Sequence, residues 1–327
     1  MLGSSTSIFS EPDDYLAMLQ RDGGCELVVT GHGEFRAELT RIQLPCMHLM
    51  AGSEDLSRIT FVSLPAELML IALPARNGDP LYLDGIALRA DEMVTQGPGQ
   101  RMHELTYGPC RWRTIRLPAH DLLRYGRAIV GRLFDVPPGM RRWRPHRQAI
   151  RQLSRLHDDA VGMSKAQPRV LTVAEATRGL EQELIAVLID CMRQETIDED
   201  AAASARRTNI MCQFEDVLSH LPDSAASIAE ICSELKVPPR TLRACCQIQL
   251  GMGPRRYLHL RQLQRARRAL RGAASDATRI SDVARQFGFR GPSRFAASYR
   301  AQFGELPSDT IARRRKLLAS QPDRATG

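Results

Sequence analysis

The 327-residue chain has no Cys-x-x-Cys pair, no His-x-His pair and no long hydrophobic run. Its most apolar stretch, residues 64–75, is shorter than the ~20 residues a membrane helix needs, and Pro65, Glu67 and Pro74 interrupt it. No segment resembles a secretory leader, so a cytoplasmic protein with no membrane association is expected. The eight cysteines stand at Cys25, Cys46, Cys110, Cys191, Cys212, Cys232, Cys245 and Cys246. That scatter suggests neither a zinc site nor a disulfide framework and fits a reducing compartment. The adjacent Cys245 and Cys246 could be imagined as a redox switch, but at least one falls on a packing face, where cysteine behaves as a small hydrophobe. His32, His48 and His103 are isolated from one another, so no metal cofactor is expected.

What is present is a repeat. Ile228, Ile231, Leu235, Val237, Leu242, Cys246, Gly251 and Pro254 are followed by Ile280, Val283, Phe287, Phe289, Phe295, Tyr299, Gly304 and Pro307. The offset is 52 residues at the start and 53 after the turn, as one residue inserted in the second turn would produce. Each copy holds two short amphipathic helical patterns separated by only a few residues, which is the layout of a helix-turn-helix. Gly288 can take the left-handed conformation that such a turn requires. Lys236 holds the equivalent place in the first copy, where that conformation costs about 1 kcal/mol. Between the copies, Tyr257, Leu260, Leu263, Ala266 and Leu270 share one face of a single expected helix that would fix the spacing of the two units.

Charge is segregated along the chain. Residues 221–327 carry 20 Lys+Arg against 8 Asp+Glu, a balance of +12, whereas the preceding residues carry 25 against 29, or −4. A GC-rich coding bias could raise arginine everywhere, but it does not thin the carboxylates over the same stretch. The pattern is the electrostatic footprint of a phosphate-binding module.

At these residues the chain resembles the AraC family of bacterial transcription regulators over roughly residues 210–320. The resemblance rests on Arg240-Thr241-Leu242-Arg243, Gly251-x-x-Pro254-x-x-Tyr257-Leu258, Ile280-x-Asp282-Val283-Ala284, Gly288-Phe289 and Arg294-Phe295. Two departures from the family pattern are Cys246, where an aromatic is usual, and Leu306-Pro307-Ser308-Asp309-Thr310, where a Ser-Pro-x-x-Tyr-Arg-like phrase is usual. The resemblance implies double-stranded DNA and RNA polymerase as partners, a homodimer, and a transcriptional activator. It also implies an N-terminal cupin-like domain open to a small-molecule effector.

Helix faces select the DNA-contacting residues. With Leu242 and Cys246 turned inward, Arg240, Arg243 and Gln247 fall on one outward stripe. Arg can bind guanine O6 and N7, and Gln can bind adenine N6 and N7. Thr241 is assigned to phosphate. In the second copy Phe295, Tyr299 and Phe303 turn inward and leave Arg290, Ser293, Arg294 and Ala297 outward, a set expected to lean on phosphates. For each arginine, a solvated surface charge is the competing reading.

The rest of the chain is expected to be multidomain in organisation. Residues 1–148 read as a β-rich barrel or sandwich, residues 149–207 as a helical connector, and residues 208–327 as the all-α DNA-binding domain. The β reading rests on the short runs CELVVT, ITFVSL, LMLIALP and PLYLDGIAL, with Gly and Pro between them. An apolar interior there could hold an organic effector. In the connector, Leu180, Leu184, Val187, Leu188 and Cys191 form an apolar stripe that could pack on the β-domain or form a two-fold dimer interface. Residues 196–209 read as an interdomain linker with some helical character. Residues 132–147 form a basic patch in which Arg141, Arg142, Arg144 and Arg147 flank Trp143; the reading preferred is a surface connection whose Trp covers the β-domain. The sequence therefore favours a non-enzymatic, ligand-responsive transcription regulator. The alternative is an enzyme or DNA-repair protein with an appended AraC-like module, which would need a thiol in a cationic or His-assisted setting.

Overall fold

Aliphatic and β-branched side chains fill a pleated surface well, and Gly and Pro interrupt it, so the apolar runs after residue 23 become strands. The computed structural model describes residues 3–75, 80–131, 134–193, 196, 201–220, 227–272 and 279–319. It divides into two compact units, one of residues 1–27 and 35–208 and one of residues 28–34 and 209–327.

The strands are β1 (Gly3–Phe9), β2 (Gly24–Val29), β3 (Ala37–Gln43), β4 (His48–Glu54), β5 (Arg58–Ser63), β6 (Leu68–Leu73), β7 (Tyr82–Leu83), β8 (Ile86–Ala87), β9 (Met93–Gln96), β10 (Arg101–Leu105), β11 (Cys110–Pro118) and β12 (Arg141–Trp143). They form a seven-stranded sheet in the order β1-β3-β4-β11-β6-β9-β12 and a five-stranded sheet in the order β2-β5-β10-β7-β8. Register in the larger sheet places Ile115 beside both Leu49 and Ile71, so apolar residues of three neighbouring strands share one face.

That face is covered by helices. After α1 (Pro12–Leu19) come α2 (Ala119–Val130), α3 (Arg147–Ala166) and α4 (Ala174–Cys191). Leu122 of α2, Leu153 and Ala160 of α3, and Leu184 and Leu188 of α4 are fully buried in one cluster with Leu49, Ile71, Ile115 and Leu117 of the sheet. The apolar stripe of α4 is therefore buried in the chain's own core, with α2 and α3 as its neighbours. Glu181 of α4 adds a polar tie, accepting the Cys46 backbone N–H at 2.7 Å. Between the sheets the interior is charged: Arg58 donates to Glu54 at 2.7 Å and to Glu104 at 2.9 Å. Trp112 Nε1 donates to the same Glu54 at 2.8 Å, and the Tyr15 hydroxyl also donates to it.

The basic patch of residues 132–147 is a strand and its flanks; residues 132 and 133 lie outside the described residues. Arg142 and Arg144 both donate to Glu92, at 2.9 and 3.1 Å, and buried Trp143 donates to Thr95 Oγ1 at 2.8 Å. The patch is thus partly neutralised locally, with its Trp in the β-domain core.

The second unit holds α5 (Ala201–His220) from Asn209 onward, then α6 (Ile228–Glu234), α7 (Pro239–Leu250), α8 (Pro254–Gly272), α9 (Ile280–Gln286), α10 (Pro292–Phe303) and α11 (Pro307–Ala319). Of the expected linker, residues 197–200 lie outside the described residues, and the stretch from Ala201 opens α5. Residues 28–34 join this unit through backbone carbonyls. Gln302, which is buried, donates to Val29 O at 3.2 Å and Gly31 O at 2.9 Å, and Gln264 donates to Val29 O at 3.2 Å.

Candidate nucleic-acid interface

The repeat is a repeat in space. Helices α6 and α9 start 52 residues apart, whereas α7 and α10, and α8 and α11, start 53 apart. The inserted residue lies in the second turn, where Gly291 has φ 100°. Both turns contain the expected left-handed corner, at Lys236 (φ 54°) and Gly288 (φ 79°). Both second helices then open with proline at the first helical position, Pro239 and Pro292, where the missing N–H costs nothing. The first helix of the first unit is fixed by a capping box: Ser227 Oγ accepts the Glu230 N–H at 3.2 Å, and Glu230 accepts the Ser227 N–H at 3.0 Å.

Helix α8 joins the units and is bonded to α5. Glu215 of α5 accepts from the Tyr257 hydroxyl at 2.7 Å and from Arg261, and all three side chains are buried. Cys246, in the place of the usual aromatic, is fully buried with its sulfur 3.9 Å from Met211 Sδ of α5. Cys245 is buried as well, so both adjacent thiols pack inward. The second unit closes on Leu263, Ala266, Leu270, Val283, Phe287, Phe295 and Tyr299. The second departure, at residues 306–310, still docks α11. Asp309 accepts the Leu306 N–H at 2.9 Å, the Tyr299 hydroxyl lies 2.7 Å from Thr310 Oγ1, and Thr310 donates to Glu305 at 2.8 Å.

With those faces buried, α7 and α10 each present an opposite face. Arg240, Arg243 and Gln247 are all exposed on α7, and Thr241 is half-buried at the edge of that stripe. Gln247 Nε2 donates to Gly251 O at 3.1 Å, which turns its carboxamide toward the end of its own helix. Arg290, Ser293 and Arg294 are exposed together around the start of α10. Arg300, also exposed, stands 53 residues after Gln247 and was not selected by the sequence reading, although the repeat offset points straight to it. Ala244 and Ile248 on α7 and Ala301 on α10 were missed as well, because attention to hydrogen-bonding side chains passes over apolar ones. Arg255 and Arg256 are exposed in the first turn of α8, where the helix dipole reinforces a positive field. Arginine spread over two parallel repeats, on faces free of intradomain packing, suits polyanion binding.

Comparison with known proteins bears on the C-terminal region. Residues 231–313 match the family model described as a helix-turn-helix domain. The XylDLEGF operon transcriptional activator 3 of Pseudomonas putida is 32% identical over 113 residues, 34% of this chain and 34% of that protein. The C-terminal region is an AraC-type helix-turn-helix domain. The match to that activator spans only about a third of its length. A broader match, to the regulatory protein HrpB of Ralstonia nicotianae, is 24% identical over 197 residues and covers 57% of this chain and 40% of that one. Among solved structures, the AraC-like transcriptional activator CuxR aligns over 86% of this chain and 99% of its own, at 14% identity and a TM-score of 0.42. Among the described residues, no helix is long and apolar enough to cross a membrane.

Proposed function

We propose that the protein is a sequence-specific transcription regulator whose two helix-turn-helix units enter successive major grooves on one side of a DNA duplex. The observation that carries this reading is the repeat of α7 and α10 with outward arginines at Arg240, Arg243, Arg294 and Arg300. The rigid helix between them suits a spacing of about one helical turn. Activation of transcription, contact with RNA polymerase and assembly as a homodimer belong to the same proposal; activation is what the Pseudomonas putida relatives are named for.

Control is assigned to the β-domain, through a small effector or a protein partner. Support comes from the Arg58–Glu54–Glu104 cluster between its sheets, since buried ions are costly as mere filling and can re-pair around a polar guest. The adjoining cavity, lined by Cys25, Thr60, Trp112 and Arg116, measures about 20 Å³. That is room for about one water, so an organic effector would need the sheets to part. The thiol-dependent alternative finds little support, because burial pushes the Cys25, Cys46 and Cys191 thiols up to about 12 and suppresses the nucleophilic thiolate.

The test is selection of duplexes from a randomised pool by the full-length protein, followed by binding at several salt concentrations. Enrichment of one motif, bound with a steep inverse salt dependence, is expected. A folded protein that enriches nothing and binds no duplex at low salt would refute the regulator reading.

A further inference from the structure

The outward face of α7 is not wholly polar. Beside and beyond its two arginines stand Ala244 and Ile248, four residues apart and both exposed. Ile248 is 44% exposed, on a helix whose opposite side is buried completely at Leu242, Cys246 and Leu250. A large aliphatic side chain left in water on a helix this well packed forgoes burial free energy that a polar residue would not. The second unit repeats the arrangement. Ala297 and Ala301, again both exposed, lie 53 residues after Ala244 and Ile248. The same position pair is therefore apolar and uncovered in both copies, while their neighbours on the same face are Arg243 and Gln247 in one and Arg294 and Arg300 in the other.

The chemistry of that strip points to one occupant. In the major groove the only apolar group on a base edge is the C5-methyl of thymine, and aliphatic side chains are the groups that contact it. Phosphate offers nothing to Ala or Ile. The flanking arginines would hold the strip against a duplex, and the Gln247 carboxamide, bonded to Gly251 O, is drawn toward the helix end. We infer that Ala244 and Ile248 form a thymine-methyl reading strip, with Ile248 a specificity-determining residue that discriminates thymine from cytosine or uracil beside the arginine contacts. This rests on the DNA-binding reading given above. The alanine pair of α10 makes a shallower version of the same strip, so discrimination is concentrated in the first unit.

The test uses the full-length protein and the duplex it enriches from a randomised pool, remade with deoxyuridine at each thymine in turn. Uracil pairs as thymine does and lacks only the methyl. For the wild type, one substitution within the first half of the motif should weaken binding about 3- to 5-fold, the scale of one buried methyl. Ile248→Ala should weaken binding to the parent duplex by a similar factor, bind random duplex as the wild type does, and show no further loss at that uracil. Arg243→Ala should keep the uracil penalty. If Ile248→Ala binds the parent duplex as tightly as the wild type, or if every uracil penalty survives in it, the strip does not read methyl groups and Ile248 is left as a docking point for a protein. If no duplex is enriched at all, the DNA-binding reading fails first and takes the strip with it.

Discussion

Lys236 and Gly288 occupy the same corner of the two helix-turn-helix units, 52 residues apart, both in the left-handed region at φ 54° and 79°. Only the glycine is at ease there. Lys236→Gly should therefore stabilise the first unit by about 0.5–1 kcal/mol, and Gly288→Lys should destabilise the second by a similar amount. Thermal unfolding followed by circular dichroism measures both. A Lys236→Gly protein no more stable than the wild type would mean that the lysine's other contacts compensate the strain.

The tie between α5 and α8 is open to disruption by a single change. Glu215→Ala would leave Arg261 buried without its carboxylate, at a cost of about 3–5 kcal/mol. Tyr257→Phe removes one neutral donor from the same carboxylate and should cost only about 1 kcal/mol. Urea titration of the two variants should rank them in that order. Equal effects would place the stabilisation in packing and not in the ion pair.

Acid should loosen the β-domain through His157. Its ring is buried between α3 and the larger sheet, 3.3 Å from Thr114 O, and burial, reinforced by the Arg113 charge, brings its pKa from 6.5 to about 4. A histidine with a depressed folded pKa is neutral in the fold and charged in the unfolded chain between those values. Stability present above pH 6.5 is therefore lost as the pH falls toward 4, by about 3 kcal/mol in all. His157→Gln should flatten the pH dependence of the unfolding midpoint across this window. An unchanged slope in the variant would assign the acid sensitivity to other groups.

Much of the second unit was legible in the sequence, and the reasons are specific. The 52-to-53 step located the inserted turn residue because each inward anchor, from Ile228 to Pro254 and from Ile280 to Pro307, is fixed by helical packing. Outward residues obey no such constraint. Ile248 escaped notice because nothing inside the chain requires its identity, whereas Arg300 could have been found by carrying Gln247 through the 53-residue offset. The tie from Gln302 to Val29 and Gly31 could not be read at all, since it joins a side-chain amide to backbone carbonyls more than 270 residues away and leaves no pattern. In the β-domain β2, β5, β6, β7 and β8 were announced by their apolar runs, but the remaining strands and the charged interior were not. Arg58 and Glu54 border apolar strands as if they were ends facing water, and only the fold turns them toward each other.

The two units should divide the work of recognition. Arg240→Ala or Arg243→Ala should cost about 1–3 kcal/mol on the selected duplex and far less on random DNA, whereas Arg290→Ala or Arg294→Ala should weaken both alike and reduce the salt slope by about 1. Fluorescence anisotropy at several salt concentrations separates the two behaviours. Equal losses on both duplexes for Arg240 and Arg243 would move those residues onto phosphate.

Hydroxyl-radical footprinting of the full-length protein on its selected duplex tests the central claim most directly. Two recognition helices held by α8 should give two protected patches on one face of the duplex, centred about 10 bp apart, with Arg294→Ala and Arg300→Ala fading only one of them. A single patch, unaffected by substitutions in α10, would contradict the account, because only one of the two repeated units would then be engaging DNA.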